Sequence, residues 1–179
     1  MNNWIVLLRG INVGGKNIVP MKQLADMLLG LGCQNVHTYI QSGNVLLQNS
    51  ESNAQVLSEK IANEMLQTFG FQPHILLLTL AQFEQAATNN PFPNAQSNPK
   101  TLHMFFLAEP ARNLDFDAMK CIKKDNESFE LIEDVFYLHA PDGIGRSKLA
   151  AKAEKLLAVA TTARNWKTVS QLLTLANQK

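Results

Sequence analysis

The stretch Trp4-Ile-Val-Leu-Leu-Arg-Gly-Ile-Asn-Val-Gly-Gly-Lys-Asn17 runs from an uninterrupted apolar segment into a glycine-rich polar loop. The apolar residues 4–8 read as a buried strand. Beyond the loop, Met21, Leu24, Met27, Leu28 and Leu31 recur at helical spacing, with Pro20 at the first helical position and Gly30 and Gly32 as stops. Strand, glycine-rich loop and helix in that order aim backbone N–H groups and a helix N-terminus at an anion. From Gly10 the loop is one residue short of the phosphate-loop pattern of nucleotide hydrolases, with Asn17 where a hydroxyl would reach magnesium. Val19 precedes a proline and is pushed out of the α region, so the helix begins several residues after Lys16. A hydrolase loop needs its helix to begin at the Gly-Lys pair. The loop therefore reads as a turn with positive φ, carrying either a solvated lysine or an anion nest without hydrolase chemistry.

Working outward, residues 36–40 and 45–47 read as strands joined by the tight turn Gln41-Ser42-Gly43-Asn44. Val56, Ile61, Met65, Leu66 and Phe69 mark a helix ended by Gly70, residues 74–78 a fourth strand, and Thr79 the cap of a short helix over 80–87. Residues 89–100 contain Pro91, Pro93 and Pro99 and read as a linker. The second half repeats the order: a strand at 102–107, a helix at 116–122, a hairpin of 129–132 and 135–139 across Glu133-Asp134, a helix opened by Ser147, a short strand at 159–161 and a closing helix at 165–175. Each half is thus β-α-β-β-α-β followed by a helix. The expected fold is α+β, two packed ferredoxin-like units, each with an extra helix. The expected division is 1–88, a linker at 89–100, and 101–179.

Composition narrows the function classes. Apolar residues make up 46% of the 179 and charged residues 17%, a globular balance. A formal net charge of +1 disfavours a protein that lives by non-specific nucleic-acid binding, although a local basic patch remains compatible with it. Cys33 and Cys121 lie far apart with no ligand spacing, which predicts buried free thiols and neither a disulfide framework nor a metal site. Arg9 cuts the N-terminal apolar run too short for a signal peptide, and no window approaches a membrane span. The expected location is the cytoplasm.

Topology selects which polar residues meet. In a split βαβ unit the first strand is central and antiparallel to the third, so Arg9, Asn12 and Lys16 should share a sheet end with Gln41, Ser42 and Asn44. In the second half, Gly143, Gly145, Arg146, Ser147 and Lys148 should share the opposite end of their sheet with Arg164, Asn165 and Trp166. If the halves pack head to tail, Arg9, Lys16, Arg146, Lys148 and Arg164 line one basic cleft. Two glycines leading into a helix capped by Ser147 form a second candidate anion site, set against an ordinary Asp142-Gly143 turn with an ordinary cap. Ser147 and Lys148 are adjacent on a helix and diverge by about 100°, which argues against a serine–lysine nucleophile. A turn serine such as Ser42 more commonly bonds its own backbone than attacks a substrate. His37, His74, His103 and His139 fall on four strands without paired ligand spacing and read as partly exposed strand residues. Phe105, Phe106, Phe136 and Tyr137 lie on neighbouring strands, as base-stacking aromatics do in RNA-recognition modules. Each pair is consecutive and so faces both ways, which favours burial.

Four runs, Arg9-Gly-Ile-Asn-Val-Gly-Gly-Lys16, Tyr39-Ile-Gln-Ser-Gly-Asn-Val45, Pro141-Asp-Gly-Ile-Gly-Arg-Ser-Lys-Leu149 and Thr162-Ala-Arg-Asn-Trp166, together resemble the bacterial family known as domain of unknown function 1697. Asn90-Pro-Phe-Pro93 also fits that family's linker, whereas Ser170 and Gln171 stand where its members are often more basic. The resemblance implies a cytoplasmic bacterial protein of duplicated α+β units and brings no activity with it. The leading reading is a module that binds a small anionic, phosphorylated ligand in a basic cleft between two halves. An enzyme on such a ligand, with Lys16 or Arg146 stabilising developing charge, a nucleic-acid-binding module and a protein-interaction scaffold are the alternatives. Neither paired carboxylates nor a triad nor a metal cluster is visible, so the sequence names no catalytic residue or cofactor and assigns no oligomeric state.

Overall fold

A computed structural model describes residues 1–112 and 114–178 of the chain. The first sheet has the order β2-β3-β1-β4, built from β1 (Asn2–Arg9), β2 (Gln34–Tyr39), β3 (Asn44–Asn49) and β4 (His74–Thr79). Helix α1 (Met21–Gly30) connects β1 to β2, α2 (Ala54–Phe69) connects β3 to β4, and α3 (Leu80–Thr88) follows. The second sheet has the order β6-β7-β5-β8, from β5 (Leu102–Leu107), β6 (Ser128–Ile132), β7 (Val135–His139) and β8 (Thr161–Asn165). Here α4 (Phe116–Ile122) and α5 (Lys148–Leu157) fill the two crossovers, and α6 (Trp166–Asn177) follows. Every strand pair is antiparallel. The expected α+β architecture of two ferredoxin-like units is what forms.

By their contacts the residues divide into one unit of Met1–Gln85 with Thr174–Lys179 and another of Ala86–Leu173. In the first, Trp4, Val6 and Leu8 of β1 and Val45 and Leu47 of β3 pack with Leu24 and Leu28 of α1 and Leu57, Ile61 and Met65 of α2. Ile5 and Leu7 point the other way and are buried as well. A strand buried on both faces has no polar alternation, and that is why the run reads as continuous. In the second, Phe105, Leu107, Phe136 and Leu138 pack with Met119 of α4 and Leu149, Ala153 and Leu157 of α5.

The helix ends obey local chemistry. Asn53 caps α2 by accepting from the N–H groups of Gln55 and Val56, and Gly70 closes it in the left-handed region. Pro20 is extended (ψ 127°) and sits just ahead of α1 rather than inside its first turn, because Asn12 fixes the approach of Val19. The last strand lies later than expected. Ala158 turns left-handed after α5, Val159 drops into the core, and β8 pairs with β5 from Leu107↔Thr161 to His103↔Asn165. The run Thr162-Ala-Arg-Asn165 is therefore strand, and α6 starts at Trp166. The proline-rich connection contains a short 3-10 helix, Pro93–Ser97, whose Ala95 is buried. Cys33 is buried as expected but Cys121 is exposed. His103 departs from the partly exposed expectation and is 7% exposed, since it lies on a central strand. Among the described residues no helix is long and apolar enough to cross a membrane.

Candidate functional site

At the end of β1 the glycine loop closes on itself. Gly14 and Gly15 (φ 58° and 73°) make a two-residue turn in which the Lys16 N–H donates to the Val13 carbonyl at 3.1 Å. Asn12 and Asn17 are also left-handed (φ 54° and 51°), and the Asn12 N–H donates to the Asn17 carbonyl. The Asn12 amide then donates to the carbonyls of Val19 (3.0 Å) and Gln41 (2.8 Å), while its oxygen accepts from the Val19 N–H (2.8 Å). Asn17 donates to the Gly10 carbonyl at 3.0 Å. These bonds direct the N–H groups of Asn12, Lys16 and Val19 to internal acceptors, which supports the turn reading over the nest.

The bond to Gln41 joins this loop to the β2–β3 turn. There the Leu8 N–H donates to the Gly43 carbonyl at 2.7 Å, and Asn44, fully buried, donates to Ser42 Oγ (2.9 Å) and the Tyr39 carbonyl (3.2 Å). Arg9, Asn12, Lys16, Gln41, Ser42 and Asn44 thus share one sheet end, as topology required. Asn12 is committed to backbone groups there, and Asn44 to Ser42 Oγ and the Tyr39 carbonyl. Arg9, Lys16, Gln41 and Ser42 are exposed.

In the second unit β5 begins between the ends of β7 and β8, with Leu102↔His139 and His103↔Asn165 in register. Residues 140–148 and 164–166 consequently meet at that sheet end. Gly143 (φ 92°) donates its N–H to the Ala140 carbonyl, a 3-10 turn of Ile144–Arg146 follows, and the Ser147 hydroxyl accepts from the Ala150 N–H at 3.0 Å. Ser147 is buried and spent as a cap, so it is no nucleophile for Lys148. Asn165 caps α6 in the same manner, its oxygen accepting from the Thr168 N–H at 3.0 Å. Gly145, Arg146 and Lys148 are exposed, and Trp166 is half-buried. Arg164 donates to the Ala163 carbonyl at 2.8 Å. Burial lowers its pKa to about 10, which still leaves it charged at neutral pH.

Asp142 supplies the one negative charge in this loop. Lys124 approaches it at 2.9 Å and Asn126 at 3.1 Å, and these hydrogen bonds, followed by the charges of Lys124 and Arg146, hold its carboxyl below the usual range. Glu127, buried, accepts from the Lys124 N–H at 3.0 Å, which fixes the segment that presents Lys124. Sequence reading missed this tie, since nothing local pairs residues eighteen apart; only the antiparallel β6–β7 pairing of Ser128↔His139 brings them together. The arrangement at this end is two capped helix starts with exposed cations around them, an environment that attracts anions.

Comparison with known proteins gives a lineage. A family model described as protein of unknown function (DUF1697) matches residues 1–137. The chain belongs to this family. A solved structure, that of the conserved bacterial protein SP0830 from Streptococcus pneumoniae, is similar over 97% of this chain and 98% of that one, with 26% identity and a TM-score of 0.71. No curated protein matches. The DUF1697 match contains the glycine loop and the Gln41–Asn44 turn but stops short of residues 141–149 and 162–166.

The sheet aromatics of this DUF1697 chain bear on the nucleic-acid alternative. Phe105, Phe106, Phe136 and Tyr137 are all buried, and Tyr137 donates its hydroxyl to the Ala86 carbonyl, so none offers a face to a nucleobase. Among the described residues no three His, Cys, Asp or Glu side chains are grouped to hold a metal.

Proposed function

We propose that this DUF1697 protein binds a small anionic ligand, phosphorylated in its natural form, at the end of the second sheet where α5 and α6 begin. The supporting observation is that the two helix starts share that end with Arg146, Lys148 and Arg164, while Asp142 is already engaged by Lys124. A phosphate there takes up free first-turn N–H groups and offsets the repulsion among the cations. The burial of all four sheet aromatics counts against the nucleic-acid alternative. An exposed free thiol at Cys121 suits a reducing compartment, and we place the protein in the cytoplasm. Titration calorimetry with inorganic phosphate and pyrophosphate tests the reading. Arg146→Ala and Lys148→Ala should each weaken binding about tenfold, or roughly 1–2 kcal/mol. Absence of saturable binding by the wild type, or equal affinity in both variants, would refute it.

A further inference from the structure

The face of the first sheet turned away from α1 and α2 carries an amide ladder that neither the family nor the anion site explains. Asn35, Gln48 and Asn3 lie on three adjacent strands. The Asn35 amide donates to Gln48 Oε1 at 2.7 Å, and the Gln48 amide donates to Asn3 Oδ1 at 2.8 Å. A bulge in β2 makes this possible. Gln34 pairs with Gln48 and His37 with Leu46, so three steps on one strand match two on the other. The extra residue is accommodated by Asn35 in the left-handed region, φ 49°. A left-handed residue at a bulge costs free energy and re-aims a side chain, here onto Gln48.

The ladder borders a cavity of about 320 Å³, within the size range of small-molecule sites. Its floor is apolar, from Ile5 and Leu46, and Leu80 and Leu175 form its walls. His37, exposed and opposite Leu46, adds a flat ring. Among the described residues the lining carries no Asp, Glu, Lys or Arg. Such a site repels ions, because nothing replaces their hydration. A primary amide has two N–H donors and two acceptor lone pairs. The ladder takes one of each from Gln48 and leaves one of each, side by side on a group already held in place. A fixed donor–acceptor edge above an apolar floor matches a flat ring that bears the complementary pair, the way amide side chains read base edges. Restraint by Asn3 and Asn35 lowers the ordering cost of that contact.

We infer that this cavity binds an uncharged planar heterocycle of the nucleobase class, with Gln48 as its bidentate partner and His37 against its face. The site stands apart from the anion reading and holds whether or not that reading does. Titrating adenine, hypoxanthine and uracil, as free bases, into the full chain while recording amide NMR spectra provides the test. At least one base should shift the side-chain amide signals of Gln48 and Asn35 saturably, with inorganic phosphate leaving them in place. Gln48→Met, similar in length, should weaken that binding at least tenfold, and Leu175→Trp should block it by filling the cavity. The inference is overturned if no base binds, if the shifts map elsewhere, or if a folded Gln48→Met protein binds as tightly as the wild type. Should Gln48→Met not fold, unaltered binding by Leu175→Trp overturns it equally.

Discussion

A Cβ added at Gly43 would lie 2.6 Å from Leu8 Cβ and 3.1 Å from the Leu8 carbonyl oxygen, and the residue holds a φ of 75°. Alanine there meets both a backbone penalty and a collision with a central strand that is itself buried on both sides. Gly43→Ala should therefore cost roughly 2–4 kcal/mol in urea unfolding at an unchanged m-value. A loss below about 0.5 kcal/mol would mean that the turn gives way freely. His103 offers a second test at this scale. Burial lowers its pKa from 6.5 to about 4, outweighing a hydrogen bond to the Thr101 carbonyl that favours the charged ring. Its Nδ1 has no partner among the described residues. Well above pH 6.5 the ring is neutral whether the chain is folded or not, and it contributes nothing to pH dependence. As pH falls below 6.5 the unfolded chain takes up a proton that the folded one refuses, so stability falls, by up to roughly 3 kcal/mol near pH 4. His103→Leu should lose that much less than the wild type between pH 6.5 and 4, read by chemical denaturation at each pH; parallel curves would contradict it.

At the scale of elements, Asn12 shows how a loop that looks like a ligand site can be built for its own closure. One side chain bonds both the N–H and the C=O of Val19 and reaches Gln41 across to the next turn. Asn12→Ala strands a buried-side N–H at Val19 and releases two carbonyls, which should cost about 2 kcal/mol and loosen residues 10–19 in hydrogen exchange. Asn12→Asp keeps the acceptor but sets a carboxylate against two carbonyl oxygens, and should be at least as damaging. Equal stability of all three proteins would remove the clamp from the account. The sequence made the loop's position legible, because glycine spacing and Val19-Pro20 depend on local rules. It could not show which N–H groups turn inward, because that depends on Gln41, twenty-nine residues away. The shift of the last strand has the same origin. Thr161 to Asn165 are strand because β5 offers them partners, while the nearer apolar Val159 is claimed by the core of the second unit.

At the scale of the whole molecule, the repeated element order carried the fold, since both units obey one connectivity and that connectivity fixes which loops share a sheet end. Neither Lys124 nor Asn126 was legible beside the second candidate site, for they reach it through strand pairing rather than motif. That composition of the site makes a thermodynamic prediction for the intact chain. A ligand that binds only the folded protein stabilises it by RT ln(1 + [L]/Kd), about 1.4 kcal/mol when phosphate is ten times its Kd. For a chain of this length such a gain raises Tm by about 3–6 °C. Chloride at matched ionic strength should not reproduce it, because screening alone acts on every exposed charge and offers no acceptor oxygens to helix-start N–H groups. Removing Arg146 and Lys148 together should abolish the phosphate-specific rise. Without phosphate the same double variant should melt close to the wild-type temperature, since both side chains are exposed. A phosphate-dependent rise that survives in the double variant would place the anion elsewhere on the protein, and a rise equally produced by chloride would reduce the site to general screening.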